Sequence, residues 1–185
     1  MRIVGGKHKG RPLHAPKGSN TRPTSDRARE AIFNVLAHGV DGPDLRGACV
    51  LDVFAGTGAL GLEALSRGAA HATFVEVDRT AARILKDNIQ TLNETANARV
   101  IERPAVRIGP APNGPVDIVF LDAPYEQNLT EPALNVLAQN GWLQDGTLIM
   151  AEVAANEPLA TPPGFEVLKE KAYGAARAVF LAYRP

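Results

Sequence analysis

Two short stretches carry residue types whose order could do chemistry. The first is Leu51-Asp52-Val53-Phe54-Ala55-Gly56-Thr57-Gly58-Ala59-Leu60-Gly61, which reads as a strand, a tight turn and a helix start. Gly56 and Gly58 let the backbone turn sharply and approach a ligand with no Cβ in the way. Glu76 lies twenty residues after Gly56, at the end of the next apolar run. There a carboxylate can accept two hydrogen bonds from a ribose diol. Asp52 is placed to face the mouth of the loop. A carboxylate there suits the cationic ammonium and sulfonium end of S-adenosylmethionine. It would repel a pyrophosphate, which favours backbone N–H groups and a helix N-terminus. Gly56-x-Gly58-x-x-Gly61 also matches the dinucleotide fingerprint, which keeps an NAD-dependent oxidoreductase open.

The second stretch is Asp117-Ile118-Val119-Phe120-Leu121-Asp122-Ala123-Pro124-Tyr125. It puts a carboxylate, a rigid turn and an aromatic ring at a strand end. Methylation of an exocyclic amine on a base needs such a set. That amine is a poor nucleophile, because its lone pair is delocalised into the ring. Asp122 and a backbone carbonyl of the turn can accept its two N–H bonds, orient the lone pair and offset the charge that develops on nitrogen. Tyr125 can stack on the base once it has left its own stack. The same turn would serve an adenine N6 amine in DNA or RNA. No metal is required. His8 and His14 have no Cys or acid partner at ligand spacing, and they read as part of a basic surface.

These residues need a scaffold that brings strand ends together. From about residue 46 strands alternate with helices. Buried strands are expected at 48–54, 72–77, 99–101, 116–121 and 147–153, with helices at 60–66, 79–92 and 133–139. That rhythm implies a doubly covered, mostly parallel sheet, whose ligands bind beyond the carboxyl ends of the strands. The crossover 102–115 is rich in Pro and Gly, so its helix is short or absent. Strands at 165–169 and 178–182, with Gly174 between them, form an antiparallel pair. Before the sheet, Thr24 or Ser25 caps a helix whose apolar face is Ala28, Ile32, Val35 and Leu36, with Arg27, Glu30 and Asn34 on another face.

The chain of 185 residues suggests one domain with a small extension. With 45% hydrophobic residues and one cysteine, it is neither disordered nor a disulfide scaffold. Cys49, in the apolar run 48–51, is expected to be a buried, inert thiol. The basic start has no apolar segment of a signal peptide, and no stretch approaches the roughly 20 apolar residues of a membrane span, so a cytoplasmic monomer is expected. Lys and Arg number 20, as do Asp and Glu, so the formal charge is zero. The balance hides an asymmetry. Residues 1–36 hold eight bases and two acids, leaving twelve bases and eighteen acids for the rest. Residues 1–24 read as a basic extension, either two short strands (2–6 and 11–15) or a flexible tail. Their bases lie among Gly and Pro, free to follow a polyanion. The phosphate contacts expected are Lys7, Lys9, Arg11, Arg22 and Arg27. Residues 25–185 form the main domain.

The sequence resembles the RsmD-type small-subunit ribosomal RNA methyltransferases. Three blocks carry the likeness, in order along the chain. Arg2-Ile-Val-Gly-Gly-Lys-His-Lys-Gly-Arg11 leads to Arg22-Pro-Thr-Ser-Asp-Arg27 and Glu30-Ala-Ile-Phe-Asn34. The glycine-loop block continues through Gly61-Leu-Glu-Ala-Leu-Ser-Arg-Gly-Ala69 and Phe74-Val-Glu-Val-Asp-Arg79. The third block is Asp117 to Tyr125. The resemblance implies a class I, Rossmann-like α/β fold with a seven-stranded, mostly parallel sheet ending in an antiparallel strand. It implies methylation of guanine N2 in 16S rRNA, free or in an assembling small subunit, with S-adenosylmethionine as cofactor. Asp52, Phe54, Gly56, Thr57, Gly58, Glu76 and Val77 would hold the cofactor, and Asp122, Ala123, Pro124 and Tyr125 would form the catalytic turn. Two positions depart from the pattern. Ala123 stands where the family usually has the first Pro of Asp-Pro-Pro-Tyr. Arg103-Pro104-Ala105 lacks the usual Asp near the adenine, leaving backbone groups or Glu102. A non-catalytic RNA-binding protein with a degenerate turn is the reading that Ala123 keeps open.

Overall fold

A computed structural model describes residues 1–16, 25–125 and 127–185. Lys17, Arg22 and Thr24 lie outside the described residues. The elements run α1 (Asp26–His38), β1 (Cys49–Val53), α2 (Ala59–Ser66), β2 (His71–Val75), α3 (Arg79–Thr91), β3 (Ala98–Ile101), β4 (Ile118–Asp122), α4 (Thr130–Gln139), β5 (Leu148–Ala154), β6 (Phe165–Tyr173) and β7 (Ala176–Tyr183). One sheet orders them β3-β2-β1-β4-β5-β7-β6. The first five strands are parallel, and β7 runs antiparallel to both β5 and β6. This is the class I methyltransferase order. Consecutive strands step outward from β1 in one direction and then in the other, so the crevice opens beside β1 and β4.

Local chemistry sets the helix starts. The Ser25 hydroxyl accepts the Ala28 N–H at 3.1 Å and begins α1. Asp78 accepts the Ala81 N–H at 2.8 Å and begins α3. The sheet separates two apolar layers. Ile32, Phe33, Leu62, Leu65, Leu85 and Ile89 cover one face against Val50, Phe74, Phe120 and Met150. Leu134, Leu137 and Trp142 cover the other, against Leu51, Val119, Leu121 and Ile149. Only a three-residue 3-10 turn, Ala105–Arg107, occupies the Pro- and Gly-rich crossover. The last two strands are longer than their apolar cores suggest, because a two-residue turn with Gly174 at φ 59° lets the ladder continue to Tyr173 and Ala176.

Cys49 is exposed, not buried. It opens β1 at the lower rim of the sheet, where its N–H donates to Asp117 Oδ2 at 2.8 Å. No described helix is long and apolar enough to cross a membrane.

Residues 1–16 form a folded flap and not a loose tail. One antiparallel bridge joins Arg2 and Pro12, a 3-10 turn spans Gly6–His8, and Ile3 and Leu13 enter the α1–α3 core. Glu63 accepts the Val4 N–H at 2.9 Å, and Ser66 Oγ accepts the His8 N–H at 2.9 Å. Glu94, 1% exposed, takes Lys7 Nζ at 2.6 Å and His8 Nε2 at 2.7 Å. Burial raises the Glu94 carboxyl, but the hydrogen bonds from Asn97, Lys7 and His8 outweigh it and hold the group below the ordinary range. The clamp therefore contributes stability above the ordinary carboxylate range and loses it as pH falls through Glu94's own lower value. Glu94→Gln is expected to lower the unfolding free energy by about 1–3 kcal/mol, read by urea denaturation, and to speed amide exchange at His8 and Gly10. Unchanged exchange there would show that the flap is held without the Glu94 clamp.

Candidate active site

The loop leaves β1 through Phe54, a non-glycine residue at φ 61°. Such a conformation costs about 1–3 kcal/mol and persists where the surroundings fix it. Gly56 (φ 55°) and Gly58 (φ 82°) follow. A Cβ on Gly58 would run into Leu85, whereas one on Gly56 would meet nothing within 4 Å. Gly56 thus leaves an open cradle at the mouth. Glu76, just past β2, spans it. Its Oε2 accepts the Gly56 N–H at 2.7 Å and its Oε1 the Asp78 N–H at 2.8 Å. Val77 is 59% exposed beside it, an apolar lip to the cradle.

Asp52 does not face the mouth. It is 1% exposed behind the loop, where Oδ2 accepts the Gly61 N–H at 2.8 Å. Register explains the difference. Asp52 pairs with Phe74 and Phe120, so its side chain shares their face, beneath α2. Burial pushes its carboxyl well above the usual range. The Gly61 N–H opposes that shift, and the charges of Asp122 and Glu76 add to it. Gly61 completes the dinucleotide pattern for a packing reason, since a Cβ there would overlap the Phe74 ring. The helix N–H that a pyrophosphate would seek is already engaged by an acid.

Asp122 closes β4, partly buried, and Ala123 packs at 6% exposure in the apolar layer under α4. Its methyl group fills that layer, so packing holds the turn where the usual proline would stiffen it. Tyr125 is 40% exposed, and its hydroxyl donates to Glu152 Oε1 at 2.9 Å. Glu152 sits opposite Asp122 in the β4–β5 register. Burial, and then the charge of Glu152, push the Asp122 carboxyl up to about 7.

The sequence pointed to neither Glu152 nor Asn88. The signal for Glu152 was a single acid inside the run Leu148–Ala154, and that for Asn88 was an amide on the apolar face of α3. Asn88 is 1% exposed and joins flap to loop. It accepts the His14 N–H at 2.8 Å, donates to the His14 carbonyl at 3.1 Å and donates to the Thr57 carbonyl at 3.0 Å. Thr57 Oγ1 also reaches Met1 Sδ at 3.8 Å. Near the expected adenine edge, Glu102 is paired with Lys86, while Ala105 is buried.

The basic residues separate into two groups. Lys7 is spent on Glu94, Arg11 donates to the Thr91 carbonyl at 2.6 Å, and Arg29 is fully buried against Asp26 and the Arg2 carbonyl. Lys9 and Arg27 are exposed, and among the described residues no side-chain partner takes up either charge. They line one cleft of about 350 Å³ between the flap and α1, with Arg2, Asp26 and Glu30.

Comparisons with known proteins agree with this fold. The family described as conserved hypothetical protein 95 matches residues 1–182. Ribosomal RNA small subunit methyltransferase D of Escherichia coli K12 is 43% identical over 175 residues, covering 94% of this chain and 85% of the relative. The Haemophilus influenzae protein of the same name is 42% identical over 177 residues, covering 94% and 89%. A solved E. coli structure, named as a methyltransferase, superposes with a TM-score of 0.85 at 39% identity, covering all of this chain and 98% of the other.

The paired acids generate a direct prediction. The Asp122 carboxyl carbon, followed by NMR, is expected to titrate near pH 7 and to move down, while staying above the ordinary aspartate value, in Glu152→Gln. Because its folded value is raised, ionising Asp122 works against the fold as pH climbs from the ordinary range through about 7. Titration at an ordinary aspartate value would show that the two carboxylates do not interact.

Proposed function

The chain belongs to the conserved hypothetical protein 95 family, that of the RsmD-type small-subunit ribosomal RNA methyltransferases, and from that premise we propose that it transfers the methyl group of S-adenosylmethionine to the exocyclic N2 of a guanine in 16S rRNA. One observation carries the reading. The Gly56–Gly58 loop, Glu76 and the Asp122–Tyr125 turn converge at the carboxyl ends of three adjacent parallel strands. The substrate is the RNA itself or the assembling small subunit.

The residues present fit the cofactor. The open face of Gly56 admits its amino-acid part, Glu76 is placed for the ribose diol, and Val77 offers an apolar surface to the adenine. Phe54, Thr57 and Gly58 shape the turn, and Asp52 seats it from behind. When bound, the cofactor supplies an electrophilic methyl group on a sulfonium. Asp122 and a turn carbonyl accept the two N–H bonds of the amine and aim its lone pair at that methyl. A carboxyl held near 7 is also suited to receive the proton that the methylated nitrogen sheds. Tyr125 stacks on the flipped base, and Pro124 limits the freedom of the turn.

RNA affinity rests on the cleft between flap and α1. Lys9 and Arg27 contact phosphates, and Arg22, outside the described residues, is a further phosphate contact by its sequence block. Lys7 and Arg11 serve mainly to hold the flap in place. The basic segment 1–24, joined by Arg27 at the start of α1, grips RNA, and the rest of the domain 25–185 carries out transfer.

Labelled S-adenosylmethionine, incubated with the protein and small-subunit particles from cells lacking it, is expected to mark one guanine, and nucleotide mapping identifies which. No label from a folded, cofactor-binding enzyme would sink the reading. Asp122→Ala is expected to abolish turnover with cofactor affinity nearly intact; a collapse of that affinity would instead place Asp122 in the cofactor site. Lys9→Ala with Arg27→Ala is expected to reduce the salt dependence of RNA binding by about two phosphate contacts, at unchanged cofactor affinity. An unaltered slope would put the phosphate contacts elsewhere.

A further inference from the structure

Glu152 stands apart from the rest of its strand. The rest of β5, Leu148–Ala154, is apolar, and Glu152 is 7% exposed within it. Burying a carboxylate costs folding free energy that an alanine or leucine would not. Its position points to the base pocket. In-register neighbours on parallel strands present their side chains to the same face, and the strands lie about 4.8 Å apart. Asp122 and Glu152 are such neighbours, both at the carboxyl end of the sheet. The Tyr125 hydroxyl donates to Glu152 Oε1 at 2.9 Å, so the Glu152 carboxylate lies by the edge of the ring assigned to stack on the target base.

We propose that Glu152 is the specificity-determining residue for guanine, its carboxylate accepting the N1–H of the target base while Asp122 accepts from the adjoining 2-amine. The inference rests on the guanine-N2 reading above. Its chemistry is that of the two purine edges. In guanine the exocyclic amine sits next to a second donor, N1–H. In adenine the exocyclic amine sits next to a bare N1 lone pair. Asp122 and the turn carbonyl satisfy either amine equally well, so the catalytic turn alone cannot tell the purines apart. A second acceptor, one strand over, can. An ionised carboxylate only accepts. It pairs with N1–H and faces the adenine N1 as one lone pair against another. A site built to hydrogen-bond one group rejects an analogue lacking it far more strongly than an apolar pocket does. Two carboxylates side by side repel each other, and an edge carrying two adjacent donors is the partner that relieves both. The donor–donor face of guanine has that property, and the donor–acceptor face of adenine does not.

The test separates the ring N1 from the reacting amine. 2-Aminopurine keeps the 2-amine of guanine but has a bare N1. Small-subunit particles are reconstituted with guanine or 2-aminopurine at the mapped position, and kcat/KM is measured for each. The unaltered enzyme is expected to favour guanine by at least about 100-fold. Glu152→Gln can donate its amide N–H to the bare N1, so the preference is expected to narrow to about 10-fold or less, with a gain on 2-aminopurine and a loss on guanine. Glu152→Ala, which removes the acceptor outright, is expected to narrow the preference by loss on guanine alone. Comparable methylation of both bases by the unaltered enzyme would overturn the inference. So would Glu152 variants that lose both substrates in equal proportion, which is what a purely structural role predicts. Methylation of neither base by an enzyme that binds its cofactor would overturn the guanine-N2 reading itself.

Discussion

The site is organised around one buried hydrogen bond, from the Gly61 N–H to Asp52 Oδ2 at 2.8 Å. The first turn of a helix leaves N–H groups without partners inside the helix, and here one of them points into the protein. Asp52 satisfies it from the strand beneath. This draws α2 against β1 so closely that residue 61 cannot carry a Cβ, because Phe74 and Asp52 occupy that space. The glycine loop is then stretched over a fixed base. Its left-handed residues at 54, 56 and 58 follow from the short path between strand end and helix start. Since β1 is flanked by β2 on one side and β4 on the other, fixing this loop also fixes where Glu76 and Asp122 stand relative to it.

The flap is part of the same arrangement. Asn88 bonds to His14 and to Thr57 at once, so the N-terminal segment and the glycine loop share one buried amide. This alters how the charge asymmetry is understood. Much of the positive charge in the first 36 residues is internal to the fold. Glu94 takes one base, Asp26 draws two, and Arg29 is fully buried. Neutrality over the whole chain is therefore partly a record of internal pairing. Among the described residues, Lys9 and Arg27 bring the exposed charge left to meet a polyanion together in one cleft.

Much of this was legible in the sequence, for definable reasons. Strands buried on both faces read as apolar runs, and those at β1 to β5 were recovered to within one or two residues. Turn chemistry marked the glycine loop and the Asp122 turn. What failed to show was whatever depends on register. Alternation alone did not reveal that Asp52 faces α2, because a run apolar on both sides gives no phase. Glu152 looked like an isolated acid until β5 was set beside β4. Cys49 lay in an apolar run, but the strand starts there at an exposed rim. The two flap contacts of His8, to Ser66 and Glu94, pair residues 58 and 86 positions apart, a separation that no local pattern encodes.

Several unfavourable terms in this structure are gathered in one place. Phe54 has a strained backbone, Asp52 and Asp122 are held above their ordinary range, and Glu152 is buried next to a like charge. All four lie at the carboxyl ends of β1, β4 and β5. A fold under selection for stability alone would place apolar residues there, as it does one step below with Phe120 and Met150. In the proposed reaction each penalty has a counterpart. The strained loop opens the cradle at Gly56, the raised Asp122 would receive a proton, and the paired acids would meet an edge with adjacent donors. On that reading the same electrostatic stress that weakens the fold locally becomes preorganisation for transfer.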